Sequence, residues 1–67
     1  MNNVQMIVHE GNRNETLFNL ACGVRGLGCS QHVVHIAVFE ANLRCTPQLS
    51  VEECNNIVKS AMAYEVV

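Results

Sequence analysis

Apolar residues recur along this chain at steps of three and four. Leu17, Leu20, Ala21 and Val24 fall at i, i+3, i+4 and i+7, which places them on one face of a helix. The polar approach Gly11-Asn12-Arg13-Asn14-Glu15 supplies the start. Asn12 is a suitable N-cap, and the carboxylate of Glu15, three residues on, can reach back to the cap's backbone N–H, with Asn14 as a competing cap. The pattern predicts a first helix from about Arg13 to about Gly26, closed by a left-handed residue at Gly26 or Gly28.

Ser30 caps a second predicted helix, from Gln31 to about Arg44, with no glycine or proline inside it. It carries two apolar stripes. Ile36, Phe39 and Leu43, with Val33 beside them, form one, and Val34, Val38 and Ala41 form another about a third of a turn away. One helix of a small bundle is rarely surrounded, so the second stripe is expected to be partly exposed. Phe18, off the main stripe of the first helix, can join it, which makes Phe18, Val34, Val38 and Ala41 the candidate partner-binding residues.

Pro47 lacks the N–H of a continuing helix and pushes Thr46 out of the helical region, so Thr46-Pro47-Gln48-Leu49 is a connection. Ser50-Val51-Glu52-Glu53 is a capping box, followed at helical spacing by Cys54, Ile57, Val58 and Ala61. A third helix is predicted from Val51 to Tyr64. The expected fold is all-α: a small three-helix bundle over residues 11–65, preceded by an irregular lead-in or linker remnant over residues 1–10. In the lead-in, Val4, Met6, Ile7 and Val8 alternate too poorly for a strand, and Ile7 or Val8 can pack on the bundle.

Composition sharpens this picture. A chain of 67 residues makes one domain with little room for an enclosed active site. Hydrophobic residues reach 49% and charged residues only 15%, so apolar surface is left over once the core is filled. The net charge of −2 has the wrong sign for holding a phosphate backbone by bulk electrostatics. No apolar run approaches the roughly 18 residues of a membrane span, and the start lacks a secretory signal, so a cytoplasmic protein without a membrane role is expected. In that compartment Cys22, Cys29, Cys45 and Cys54 are expected as free thiols.

The ordered set Gly11-Asn12-Arg13-Asn14, Leu17, Leu20-Ala21, Arg25, Gly28, Ile36, Asn42, Cys45, Pro47, Leu49-Ser50, Glu53, Ile57, Ser60 and Tyr64 resembles the primase C-terminal family. The likeness covers roughly residues 10 to 65 and rests on spacing across three helices, not on one short motif. Two positions depart from it: the family's loop often reads Pro-Pro-Leu where this chain has Pro47-Gln48-Leu49, and Cys54 stands where an aliphatic residue is usual. The family domain normally follows a catalytic domain, for which this chain has no room, so the chain is read as a fragment or a free-standing relative. The resemblance implies a helical accessory domain of primases and replication initiators of plasmids, phages and prophages. Such a domain engages template DNA or a primase, initiator or helicase partner, and it implies no catalysis by these residues. The alternative is a free-standing phage or prophage protein that binds and inhibits a host protein or nucleoprotein complex.

Candidate chemistry is sparse. Cys29, His32 and His35 stand at three-residue steps, but structural zinc sites usually bring close C-x-x-C pairs, and none is present, so neither a metal nor another cofactor is expected. No thiolate, base and orienting group assemble in the pattern, and no phosphate-binding glycine loop or catalytic carboxylate group is recognisable; no catalytic residue is assigned. For DNA the candidates are Arg13, Arg25, Arg44 and Lys59, with amides from Asn12, Asn14 and Asn42. Arg13 has a structural alternative, an ion pair with Glu53 or Glu10 that ties the first helix to the third. Tyr64 is read as a core residue, since three aromatic residues make no stacking platform. The second helix can also serve as the seam of a homodimer.

Overall fold

Three helices succeed one another in the computed structural model, which describes residues 8–9 and 11–64. They are α1 (Arg13–Gly26), α2 (Gln31–Asn42) and α3 (Val51–Ala63), and each packs on the other two. Two short strands accompany them: β1 (Val8–His9) pairs in parallel with β2 (Cys45–Thr46), with Val8 opposite Cys45 and His9 opposite Thr46. The lead-in is thus tied to the α2–α3 connection at Val8–His9. Ile7 and Glu10 lie outside the described residues.

α1 has its expected bounds, but its start works differently. Asn12 occupies the N-cap position with φ −112° and ψ −7°, already helical, and its side chain makes no capping bond. A capping side chain is aimed at the N2 or N3 N–H from an extended backbone, which Asn12 does not adopt. Its carbonyl takes the Thr16 N–H at 3.0 Å instead, and Gly11, at φ +101°, makes the turn into the helix. Asn14 lies inside the first turn. At the other end Gly28, not Gly26, takes the left-handed conformation, at φ +90°.

α2 begins as expected, with the Val33 N–H donating to Ser30 Oγ at 3.4 Å, and ends two residues early. Its last side chain explains the stop. Asn42 is buried and holds Leu49 at both ends: Nδ2 donates to the Leu49 carbonyl at 3.0 Å, and Oδ1 accepts the Leu49 N–H at 2.9 Å. The intervening chain closes with Leu43 N–H to Glu40 O at 3.2 Å and Arg44 N–H to Ala41 O at 2.9 Å, the tighter bonds of a terminating turn. It then enters β2 and passes a cis Thr46–Pro47 peptide.

The same residue fixes which way α2 faces. Asn42, Val38 and Val34 are spaced by four and lie on one line of the helix, so turning Asn42 inward turns both valines inward. Val34 and Val38 are 0% exposed, packed with Leu17 and Ala21 of α1 and with Cys54, Ile57, Val58 and Ala61 of α3. The expectation of an exposed Val34–Val38–Ala41 stripe is therefore corrected: two of the three are core and Ala41 is half-buried against it. The stripe left outside is the other one, with Val33, Ile36 and Leu43 exposed and Phe39 half-buried. Phe18 is half-buried at the core's edge.

α3 opens with the complete capping box. The Glu53 N–H donates to Ser50 Oγ at 3.1 Å, and the Ser50 N–H donates to Glu53 Oε1 at 3.1 Å. It ends one residue before the expected limit, where Tyr64 turns extended. Tyr64 is 57% exposed, which corrects the reading of it as core.

Candidate functional site

The seven residues proposed for DNA do not form one strip. Arg13 and Arg25 sit near opposite ends of α1, about 18 Å apart at 1.5 Å of rise per residue. Arg13 reaches the connection before α3: its Nη1 donates to the Pro47 carbonyl at 2.6 Å and lies 3.5 Å from that of Gln48. Arg25 Nη1 donates to the Tyr64 carbonyl. Arg44 pairs with Glu40, four residues back on α2, at 3.6 Å, where both side chains are largely solvated. Lys59 is exposed on α3, and Asn12 and Asn14 are exposed at the start of α1. Asn42, offered as a DNA-contacting amide, is buried with both ends of its side chain committed to Leu49. Nothing in its residue type distinguished the two roles, since an amide serves either.

A shallow hollow lies where α1 and α3 begin, lined by Gly11, Arg13, Asn14, Leu49 and Glu53. Hydrogen bonds from the Ser50 backbone and hydroxyl hold the Glu53 carboxyl below its ordinary range, and the Arg13 charge nearby adds to this. Arg13 thus ties α1 to the connection before α3 and places its charge near Glu53. The sign for stability follows from the lowered value. The Glu53 contribution is present above the carboxyl's unfolded pKa and disappears as pH falls through the lower folded one. Ser50→Ala is expected to lower the melting temperature at pH 7, with the difference from wild type shrinking as pH falls below about 4; thermal melts followed by circular dichroism across pH 2.5–7 check this.

Burial pushes the Cys45 and Cys54 thiols up, partly offset at Cys45 by the Arg13 charge and reinforced at Cys54 by Cys45 and Glu53. Thiols so placed are poor nucleophiles and serve as small apolar packing. All four cysteines are free, Cys22 and Cys29 being half-buried. His32 and His35, with Gln31, line an open depression on α2, and the His35 ring stacks on Phe39 with centroids 4.3 Å apart. Among the described residues no three His, Cys, Asp or Glu side chains converge on a possible metal position.

Besides the exposed apolar side chains of Leu20, Leu27 and Val51, two surfaces offer several contacts together. The first is the outer line of α2, where Ile36 is 53% and Leu43 61% exposed, with Val33 in line. The second runs along α1 from Phe18, where the Phe18 and Tyr64 rings meet edge to face at 6.1 Å, to Arg25 in the last turn, which holds the Tyr64 carbonyl. Its use of Tyr64 was hidden in the sequence, because the small number of aromatic residues says nothing about where a chain leaves its last helix, and α3 ends one residue before Tyr64.

The described residues form a three-helix module whose side chains are largely committed to packing and to ties between its elements. This chain belongs to the primase C terminal 1 (PriCT-1) family, whose pattern it matches over residues 4–66. No curated protein and no solved structure matches it. The family makes it a replication-related domain of the kind associated with primases. No helix among the described residues is long and apolar enough to cross a membrane.

Proposed function

We propose that this domain is a non-catalytic accessory module of a cytoplasmic primase or initiator assembly, and that it contacts a protein of that assembly through the outer line of α2. The observation that carries the reading is the exposed row of Val33 and Ile36 on α2, continued by Leu43 at its C-cap, opposite the line that forms the core. At 12 residues α2 is about 18 Å long, so the row offers a seat for one helix or the rim of one groove. Template DNA is the less favoured ligand for the four basic side chains as a group. Arg13 and Arg25 tie the fold together, Arg44 is paired with Glu40, and the net charge is −2.

The test is a titration of the 67-residue protein, wild type and Ile36→Glu, against the primase catalytic domain and the replicative helicase of the same replicon, followed by calorimetry. The variant is expected to lose at least tenfold in affinity while its melting temperature stays within a few degrees of wild type. Equal binding by the two proteins, or none by wild type, overturns the assignment of α2. Assembly of wild type alone into a dimer that Ile36→Glu dissolves, seen by sedimentation, would transfer the face to a second copy. Binding only to a host protein outside the replication machinery would favour the inhibitor reading, which the acidic balance also suits.

A further inference from the structure

The Phe18–Arg25 face of α1, where the chain leaves α3, carries an aromatic pair and a guanidinium with no role in the α2 contact. Phe18 and Arg25 lie seven residues apart on α1, hence on the same face, and Tyr64 follows the last residue of α3. The Tyr64 and Phe18 planes are 89° apart with centroids at 6.1 Å. In that arrangement the edge of one ring meets a face of the other, so whichever ring supplies the edge, at least one face of Tyr64 is left over. The residue's exposure puts that face in reach of solvent. Beside it, Arg25 uses one N–H on the Tyr64 carbonyl, which holds the guanidinium at the ring's own backbone with further donors to spare.

From this arrangement we infer that Tyr64, backed by Phe18 and flanked by Arg25, is a stacking site for an unpaired base of single-stranded nucleic acid, with Arg25 on the adjoining phosphate. A base has a π-face whatever its identity, so such a site takes any sequence and needs an unstacked strand. One aromatic and one cation in a chain of net charge −2 give weak binding that depends on the base more than on the backbone. Duplex, whose bases are stacked on one another, is refused. The site lies on α1 and the end of α3, away from the outer line of α2, so one module can hold a protein partner and a strand together.

The experiment uses the whole chain and three fluorescein-labelled probes: a dT 15-mer, the corresponding duplex, and an abasic 15-mer with the same phosphates. Anisotropy is expected to rank the dT strand above the other two. Tyr64→Leu is expected to lower its affinity roughly 5- to 100-fold, with Tyr64→Phe restoring most of it. Arg25→Gln should flatten the salt dependence by about one phosphate contact. Because Tyr64 is the only tyrosine, ring labelling of tyrosine gives a single set of NMR signals that needs no further assignment and moves on adding the dT strand even if Tyr64→Leu fails to fold. Equal binding of the abasic and dT strands, an unmoved Tyr64 signal, or no binding of the dT strand at millimolar protein overturns the proposal. Ile36→Glu leaves this binding unchanged, so failure here and failure of the α2 contact are read separately.

Discussion

Val38→Glu is expected to abolish cooperative folding, while Ile36→Glu, two residues away on the same helix, is expected to melt close to wild type. Val38 is 0% exposed between α1 and α3 and Ile36 is 53% exposed. A glutamate at Val38 either ionises in an apolar interior or is protonated there, and in both forms it is longer than valine in a packed site. Removing an unpaired carboxylate from water costs several kcal/mol, and the added atoms strain the packing by about 1–3 kcal/mol. A domain of this length has roughly 3–10 kcal/mol of stability in total. The penalty is of the same size as the whole, so the variant is expected to show no thermal transition by circular dichroism and the narrow amide dispersion of an unfolded chain. At Ile36 the same carboxylate stays in water, and the change in stability should lie within about 0.5 kcal/mol. A cooperative melt of Val38→Glu near the wild-type temperature would mean that α2 is rotated the other way.

That pair of variants bears on a point where the pattern of apolar residues misleads, as it also does at Leu20, which lies on the stripe of α1 yet is exposed. Helix existence was legible because its local signals agree: the stripe of α1, the uninterrupted run of α2, Pro47 after it, and the capping box at Ser50. The rotation of α2 was not, because both of its stripes are apolar and periodicity alone ranks neither. The deciding residue is polar. Asn42 must face inward to reach Leu49, seven residues on, and this long-range pairing has no signature in helical spacing. The two arginines of α1 show the same limit. Their charge suggested phosphate contacts, whereas the backbone carbonyls of Pro47 and Tyr64, to which they donate, become acceptors only once the connection and the end of α3 are in place. What the spacing did carry in full was the family likeness, since it depends on helix lengths and connections and not on which surface is used.

Asn42→Ala should be the most damaging substitution of a polar residue in the domain. The wild-type amide satisfies a buried donor and a buried acceptor of Leu49 at once, and the loop from Leu43 to Ser50 provides no substitute for either. Truncation removes two hydrogen bonds and leaves two backbone groups unpaired beside the core, a loss of about 2–4 kcal/mol. With an unfolding entropy near 2 cal/mol/K per residue, the melting temperature of a 67-residue domain falls by about 15–30 °C. Leu49, which is itself buried, is freed with its loop, and the Arg13 contact at Pro47 next door loses its fixed acceptor. Asn42→Asp separates the clamp from simple loss of packing. Its carboxyl can still accept the Leu49 N–H, but when ionised it has no donor for the Leu49 carbonyl and sets oxygen against oxygen. Protonation restores the donor, so the folded state raises this carboxyl's pKa. The variant should be most stable below the unfolded value of about 3.9 and lose stability as pH rises from there to the folded value. This is opposite in sign to the acid loss expected at Glu53. Urea titrations of wild type, Asn42→Ala and Asn42→Asp at pH 3 and pH 7 would therefore show the Asp variant approaching wild type only in acid. If Asp and Ala are equally destabilised at both pH values, the amide is not acting as a two-ended clamp, and the rotation of α2 must be set by its valines alone.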